Sequence, residues 1–567
     1  MRLRTRALGV VLAAAAALTF ELSTTARRAG ATGPEKTSVL SPREQALHVL
    51  NRLGFGPRPG DVERVLQMGV GKYVEQQLHP EKIADNAVAA KLKSMLTLEM
   101  SNAELFNTFE RPLRQARCQR KAEAGEGQDA ELEKLKEMIP PEKRPRRIIE
   151  ELSVARVVRA VESERQLNEV MADFWLNHFN VFAAKGLDRV FVTSFERDVV
   201  RPRMWGKFED LLLAIAKSPA MLFYLDNAHS VADEENRPPM PARGSLFGRR
   251  PMREMDREMA RQGKNNAPKG INENYARELM ELHTLGVDGG YTQKDVTGLA
   301  RVLTGWSIGT GGRGMRGEPA GAFVFRAAMH DVGAKTVLGH TFPSGGGIEE
   351  GEKIIRILAR HPQTARHIAY QLCQRLVADD PPNALVERVA KAFLASDGDL
   401  RETERAVVLS PEFSDPKYYR AKVKSPFEYV VSAVRAVNAT TDGRALARQL
   451  VQMGEPLYIC QPPTGYSDRA DAWVNSGALI ARLNFALALA AGQLPGTSAQ
   501  PERLISEVEA RNAGESIDSL ARALVNGDLS ESTRDTIRRR STGEASPAVP
   551  VSTIAGLILG SPEFQRQ

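Results

Sequence analysis

The spacing of apolar residues along this chain is typical of α-helices almost throughout. Apolar positions recur about every 3.6 residues in nearly every segment outside residues 320–342. In that region two short runs, Phe323–Phe325 and Lys335–Leu338, have the composition of strands and lie on either side of a turn. The pattern predicts a mainly α fold: a large multi-helix single domain with one small β-hairpin.

The clearest element is a pair of helices joined by a turn, the 272–306 hairpin. Its first helix is expected at Asn272–Leu285 and ends at Gly286, a residue suited to a C-terminal cap. A Thr-x-x-Asp capping arrangement beginning at Thr292 opens the second helix. We place this hairpin at the structural and functional centre of the protein.

Two segments lack the large apolar side chains that a core needs. Residues 119–147 form a charged insertion with a surface helix near Ala130–Met138, and residues 231–270 form a mobile loop rich in Arg, Pro, Gly and Met. We expect both to lie at the periphery of one helical domain that spans residues 41–567.

Residues 1–31 have the order of a secretory signal peptide. Three arginines precede an uncharged apolar run at residues 7–20, and small residues follow it. The run is shorter than the roughly 20 apolar residues of a membrane-spanning helix, and an uncleaved anchor is the alternative. We expect an exported protein of the periplasm, the extracellular space or the cell envelope, with no integral membrane span after removal of the signal.

Charge and cysteine content exclude two classes of protein. Residues 1–31 hold five arginines and one glutamate, so only +3 of the net charge of +7 belongs to the rest of the chain. Such a chain has no global electrostatic reason to bind nucleic acid. Three cysteines, Cys118, Cys373 and Cys460, are too few, and odd in number, for a disulfide framework.

The sequence contains none of the common catalytic spacings. It has no HExxH zinc motif, no GxSxG nucleophile elbow, no P-loop and no strand followed by GxGxxG. His283 has the wrong spacing from Glu278 and Glu281 for the Glu-x-x-His pair of a di-iron bundle. We therefore predict no metal site and no cofactor, and whether the protein is an enzyme stays open.

Two histidines lie on apolar faces of predicted helices. His178 continues the face that carries Phe174, and His283 shares a face with Leu279. Each is either a neutral, hydrogen-bonded core histidine or one of a pair that converges as a site. His367, by contrast, falls outside the apolar stripe of its helix, and we expect it to face solvent.

The opposite face of the first hairpin helix is polar, with Asn274, Arg277, Glu278 and Glu281 inside an arc of about 100°. One interpretation is a solvated face supported by i, i+4 pairs. The other is that protein covers this face, in which case Arg277 and Glu278 form a buried charge pair.

These observations define a candidate site. The candidate general acids and bases are Glu278, Glu281, His178 and His283. The candidate ligand-binding residues are Asn177, Asn274, Arg277, His330 and Asp331. In the turn of the predicted β-hairpin, Asp331 either orients the ring of His330 or satisfies the turn.

Several of these segments resemble a large uncharacterised bacterial family catalogued as domain of unknown function 1800. The matching stretches include HVLNRLGFGP at residues 48–57, FWLNHFNV at 174–181, the whole of 272–306, which is highly specific, and HDVGAKTVLG at 330–339. Residues 119–147 and 231–270 look like insertions relative to the family pattern. The family has no established activity.

The resemblance nevertheless implies three properties. Members are typically exported, and they are largely helical and act as one long unit. They are also frequently encoded beside a second exported family, domain of unknown function 1501, which resembles alkaline-phosphatase-like sulfatases. The resemblance therefore implies a phosphatase- or sulfatase-like exported protein as the partner.

Two functions follow as hypotheses. The first is a non-catalytic cell-envelope protein that binds or assists the assembly of that exported partner. The alternative is an envelope hydrolase that acts on a polar or acidic ligand, carbohydrate included, with the His, Glu and Arg side chains of the 272–306 hairpin. Sealed and mutually satisfied polar residues favour the first function, and an open pocket favours the second.

Overall fold

A computed structural model of the chain describes residues 39–114, 140, 143–238, 270–309, 320–541 and 550–567. The predicted signal peptide, the helix near Ala130–Met138 and Cys118 lie outside the described residues, as does most of the 231–270 loop. In the part of the chain that is described, helices make up 59% and strands form only three two-stranded sheets. The predicted mainly α fold class is confirmed.

The α-helices are numbered in chain order over the described ranges. They are α1 (Pro42–Arg52), α2 (Asp61–Met68), α3 (Val70–Gln77), α4 (Asn86–Leu92), α5 (Asn102–Leu105), α6 (Arg146–Glu162), α7 (Gln166–His178), α8 (Asp188–Ser194), α9 (Phe208–Ala216), α10 (Pro219–Tyr224), α11 (Asn274–Glu281), α12 (Gln293–Val302), α13 (Ile348–Ala359), α14 (Pro362–Leu376), α15 (Asn383–Ala395), α16 (Leu400–Val408), α17 (Pro426–Ala436), α18 (Arg444–Gln452), α19 (Ser476–Ala490), α20 (Ala513–Val525), α21 (Glu531–Ser541) and α22 (Val551–Leu559). The strands are β1 (Trp306–Ile308), β2 (Phe323–Phe325), β3 (Lys335–Val337), β4 (His340–Phe342), β5 (Thr440–Thr441) and β6 (Thr497–Ser498).

The 272–306 hairpin follows its sequence signals at the start of its second helix and departs from them at the end of its first helix. The predicted cap of α12 is present, because Asp295 Oδ2 accepts a hydrogen bond from the Thr292 amide at 2.8 Å and the Thr292 hydroxyl accepts one from the Asp295 amide. Helix α11 ends at Glu281, earlier than predicted. The Thr284 hydroxyl donates to the carbonyl oxygen of Leu279 at 2.6 Å, so a side chain satisfies a carbonyl there and the backbone turns away.

The strands pair differently from the expected hairpin. Strand β2 pairs antiparallel with β1, and β3 pairs antiparallel with β4. Leu338 and Gly339 join β3 to β4 with φ values of 49° and 77°, the left-handed conformation that a two-residue hairpin turn requires. The sequence pattern places Leu338 in the strand, and for that reason it does not reveal this turn.

Buried apolar side chains form a cluster that runs from Ala46 in α1 to Phe564 beyond α22. Helix α12 packs closely on β3 at Gly298. A Cβ atom there would lie 2.5 Å from the carbonyl oxygen of Thr336, so only glycine permits this approach. In the described ranges, no helix is both long and apolar enough to cross a membrane.

The last residues of the chain hold the start of α17 in place. The Lys424 amide donates to the carbonyl oxygen of Gln565 and the Gln567 amide donates to that of Lys422, both at 2.9 Å. Directly after this bridge, Ser425 begins α17 in a capping box with Glu428. This arrangement sets a buried carboxylate at the N-terminus of α17, where the site described next is built.

Candidate functional site

Helix α7 is covered on both of its faces. The face that the sequence identified as apolar lies in the core. The other carries polar side chains at every fourth position, namely Glu169, Asp173 and Asn177. Glu169 accepts two hydrogen bonds from Arg201, at 2.9 and 2.8 Å. Because residues four apart lie on the same side of a helix, this stripe faces one continuous polar environment.

Asp173 is the centre of a buried charge cluster. Its Oδ1 pairs with Arg156 of α6, and its Oδ2 accepts a hydrogen bond from Nη2 of Arg375 in α14 at 2.9 Å. Arg375 also pairs with Glu428 at 3.0 Å and with Asp468 at 2.9 Å. Buried charges are costly unless each has a partner of opposite sign. The three carboxylates and two guanidiniums of this cluster supply one another with such partners.

Glu455 lies beside this cluster and is held differently. Its Oε2 accepts a hydrogen bond from the Phe427 amide at 2.7 Å, and the residue is only 6% exposed. Within the described ranges Glu455 forms no ion pair. Burial, followed by the nearby carboxylate of Asp173, raises the pKa of Glu455 to about 8. At neutral pH Glu455 is therefore a carboxylic acid that can donate a hydrogen bond as well as accept one.

The loop of residues 456–468 forms one wall of the site and is bound through its backbone. Asn177 Oδ1 accepts from the Tyr466 amide at 2.7 Å, and Asn177 Nδ2 donates to the Tyr466 carbonyl oxygen at 2.8 Å. Asn180 donates to two further carbonyl groups of the loop. Gly465 has a φ of 70°, and a Cβ there would lie 2.5 Å from the Asn177 carbonyl oxygen, so only glycine fits.

A cavity of about 40 Å³ lies between α7 and this loop. Its polar lining includes Arg156, Asp173, Arg375, Glu455, Tyr458, Tyr466 and Asp468. One water needs roughly 10–15 Å³ by this measure, so the cavity admits a group of a few heavy atoms. Tyr458 has a φ of 63°, a strained conformation for a residue with a side chain, and such strain is concentrated at ligand and active sites.

Of the residues that the sequence nominated, Asn177 lies in this cavity and the two histidines lie elsewhere. The rings of His178 and His283 are neighbours, with centroids 6.3 Å apart, and His178 Nε2 donates to the carbonyl oxygen of His283 at 3.3 Å. Burial lowers the pKa of His283 to about 3, and it also lowers that of His178, so both rings are neutral. They converge, but inside an apolar and aromatic environment.

His367 differs from the expectation that it faces solvent. It is part-buried, its ring centroid lies 6.2 Å from that of His178, and its Nε2 donates to the Leu282 carbonyl oxygen at 3.2 Å. Helix α14 passes the end of α11 here, a contact that the stripe of one helix does not reveal. Across the described residues, no group of three His, Cys, Asp or Glu side chains is placed to hold a metal ion.

The polar face of α11 lies at the surface. The Arg277 side chain is 41% exposed, pairs with Glu273 at 3.6 Å and donates to Gln293 at 2.8 Å. Asn274 is exposed, and Glu281 accepts a hydrogen bond from the Tyr291 hydroxyl at 3.3 Å. The Glu278 carboxyl is part-buried, and burial together with Glu281 raises its pKa. This geometry matches the solvated interpretation of the face, and a ligand-binding role for these residues stays a prediction.

His330 and Asp331 belong to a third, sealed network. Asp331 is fully buried and accepts two hydrogen bonds from Arg301, at 2.7 and 3.0 Å. His330 Nδ1 donates to the Thr304 carbonyl oxygen at 2.8 Å, and its Nε2 lies 3.3 Å from Glu350. Glu350 Oε2 also accepts a hydrogen bond from Lys335 Nζ at 2.6 Å. These groups pair with one another and join α12 to α13, although Glu350 Oε1 has no hydrogen-bond partner among the described residues.

Comparison with known protein families supports the resemblance to the DUF1800 family that the sequence segments indicate. A family model described as "Protein of unknown function (DUF1800)" matches residues 48–566, which is nearly the whole chain. The chain belongs to this family. No curated protein and no solved structure matches this DUF1800 chain. Because the family is of unknown function, membership assigns no chemistry to the site.

Sequence reasoning on this DUF1800 protein nominated Asn177 of the cavity lining but missed the charge cluster around Asp173. The apolar stripe of α7 points to His178, whereas Asp173, the residue that α7 contributes to the charge cluster, belongs to the polar stripe of the same helix, together with Glu169 and Asn177. An i, i+4, i+8 series of polar residues on a helix that is also apolar on its other face is a signal for two covered faces. That signal could have identified Asp173, although not its partners.

Proposed function

We propose that this DUF1800 protein is exported to the cell envelope and is a non-catalytic binding protein, whose cavity takes a small hydroxyl-bearing group. The observation that carries the proposal is the position of Glu455, which is buried without an ion pair among the described residues, in a cavity whose two guanidiniums are already paired with carboxylates. Paired guanidiniums leave little attraction for an anion. Carboxyl oxygens have acceptor capacity to spare, which hydroxyl groups of a carbohydrate-like ligand can fill.

The size and the pairing of the cavity favour binding over catalysis. About 40 Å³ accommodates the end of a ligand and leaves little room for an attacking water beside it. The cluster is also rigid, because Arg375 alone joins Asp173, Glu428 and Asp468. A site held in this way is pre-organised, and pre-organisation lowers the entropic cost of binding.

The test is binding of a panel of envelope saccharides, measured by calorimetry on the mature protein. Glu455→Gln keeps both hydrogen-bonding functions of the neutral acid, so we expect it to bind as the wild type does at pH 7. Glu455→Leu has a similar volume without hydrogen bonds, and we expect at least about tenfold weaker binding. Glu507→Leu, at an exposed position, is the matched control. Saccharides that bind Glu455→Leu and the wild type equally would refute the proposal.

A hydrolase is the second candidate, and one observation favours it. A carboxylic acid with a pKa near 8 is suited to act as a general acid at neutral pH, with the Asp173 carboxylate beside it. This candidate places the chemistry in the cavity and not on the half-exposed Glu278 and Glu281. Glu455→Gln distinguishes the two functions: an enzyme would lose turnover of the bound saccharide while keeping its affinity, because an amide cannot transfer the proton.

The proposed partner is a second exported protein of the alkaline-phosphatase-like class, and the family resemblance supports this part of the proposal. Co-expression of both proteins with their signal segments should yield a complex that survives size-exclusion chromatography. Fractionation should find both outside the cytoplasm. Recovery of this protein in the cytoplasm, or separate elution of the two at micromolar concentrations, would refute export or partnership respectively.

A further inference from the structure

A second cavity lies between helices α1 and α2 on one side and the C-terminal helices on the other. Its volume is about 290 Å³, and its walls are α1, α2, α17, α20 and the segment 419–424. Seven arginine and lysine side chains line it against one carboxylate, that of Glu63. Such a surplus of one charge in a concave space concentrates the electrostatic potential and attracts ligands of the opposite sign.

Not all of these basic side chains are available, because four of them have carboxylate partners. Arg43 pairs with Glu63 at 3.0 Å, and Arg420 pairs with Asp528 at 2.8 Å. Arg58 and Arg522 are likewise paired. The remaining three are Lys424, Arg503 and Arg566, which form no ion pair with any residue that the structure describes.

Lys424 is the buried member of these three. It is 4% exposed, and its Nζ donates to the Ser432 hydroxyl at 2.9 Å and to the Phe564 carbonyl oxygen at 2.8 Å. The ammonium also lies 4.2 Å from the centroid of the Phe564 ring. Every one of these partners is neutral. Burial and then Arg420 lower the pKa of Lys424 to about 7, as expected for an ammonium without a counter-charge.

Arg503 and Arg566 are exposed, so they stand where the cavity meets solvent, while Lys424 lies at its inner wall. Two arginines and a partly protonated lysine, none in an ion pair with a described residue, supply between two and three positive charges and suit a ligand with about two negative charges. A phosphate monoester carries roughly −1.5 to −2 at neutral pH and offers three acceptor oxygens. The lining also includes Leu47, Val62 and Leu524, which can contact the organic part of such a ligand.

We propose that this cavity binds a phosphate monoester, with Arg503 and Arg566 at its mouth and Lys424 inside. The cavity is separate from the one that contains Glu455, so the proposal stands or falls independently of the proposed function. The same headgroup chemistry has two sources, a soluble organic phosphate and a phosphomonoester lipid.

The test is titration of the mature protein with sn-glycerol 3-phosphate by calorimetry, and sedimentation with vesicles that contain phosphatidic acid in a phosphatidylcholine background. We expect binding of at least one of the two probes, weakening as salt is raised. Binding of the soluble ester alone identifies a soluble ligand, and binding of the phosphatidic acid vesicles alone identifies the lipid. Absence of binding to both probes at low salt overturns the proposal.

The variants decide whether the cavity is responsible. Arg503→Gln combined with Arg566→Gln removes two exposed charges and should weaken binding by at least about tenfold, since charge-assisted hydrogen bonds are the strong ones. Arg448→Gln removes an exposed arginine of α18 outside the cavity and should leave affinity unchanged. Lys424→Met should abolish binding, with its fold checked by circular dichroism. Equal loss in the double variant and in Arg448→Gln would show general charge attraction and overturn the site.

Discussion

Replacing Glu455 by glutamine removes a titrating group from the centre of the first cavity while keeping its shape. In the folded protein the pKa of Glu455 is about 8, against 4.5 for the ordinary carboxyl group of glutamate. Because the folded state holds this proton more tightly, the carboxyl contributes stability that is fully present below pH 4.5. The contribution is lost as the pH rises through 8.

The size of the effect follows from the shift. A difference of one pKa unit corresponds to about 1.4 kcal/mol, so a shift of this size amounts to about 5 kcal/mol in total. The wild type should therefore lose stability relative to Glu455→Gln by about 1.4 kcal/mol per pH unit between pH 5 and 8. At pH 5 the two proteins should be similarly stable, since glutamine resembles the protonated acid. At pH 8 the variant should be the more stable.

The assay is urea unfolding followed by circular dichroism at pH 5, 6, 7 and 8, with the two proteins compared at each pH. Taking the difference removes the contributions of other titrating groups that both proteins share, such as Asp188 and Glu404, whose pKa values are raised by burial. Glu507→Gln, at an exposed position, should track the wild type at every pH. Parallel curves for the wild type and Glu455→Gln would refute the argument, because they would mean that Glu455 is ionised in the folded protein.

Three further predictions concern the residues that the sequence nominated. Arg277→Ala should lower the free energy of unfolding in urea by less than about 1 kcal/mol, because the side chain is 41% exposed and its pair with Glu273 is at the surface. A decrease of several kcal/mol would mean that protein covers this face. The pKa of His283 falls to about 3 through burial, so its stability contribution is present above pH 6.5 and is lost as the pH falls toward 3. As the pH is lowered to 6 and then 5, the melting temperature of His283→Phe should therefore fall less than that of the wild type. An equal fall in both proteins would contradict a buried neutral ring. Arg301→Ala removes the bidentate partner of the fully buried Asp331 and should lower the free energy of unfolding by about 3–5 kcal/mol in the same assay. Arg301→Lys should restore part of this loss. An Arg301→Ala variant as stable as the wild type would contradict the role given to this network.

The features of this protein that can be predicted from the sequence alone are local. Helical periodicity, the capping box at Thr292 and the family match were all available from the chain, because each depends on residues a few positions apart or on a linear pattern. Burial of His178 and His283 was also foreseeable from a single helix face. The pairing of β2 with β1 could not be predicted in this way, because the hydrophobic pattern of a three-residue strand is too short to specify its partner.

The candidate site, by contrast, depends on contacts between distant segments of the chain. Arg375 lies 202 residues from Asp173 and 93 from Asp468, and these three meet only because α7, α14 and the 456–468 loop pack together. The pKa of Glu455 is likewise set by burial and by Asp173, neither of which its sequence neighbours specify. Helical pattern is encoded between near neighbours in the chain. Charge pairing and desolvation depend on which helices meet, and that is fixed only when the core has formed.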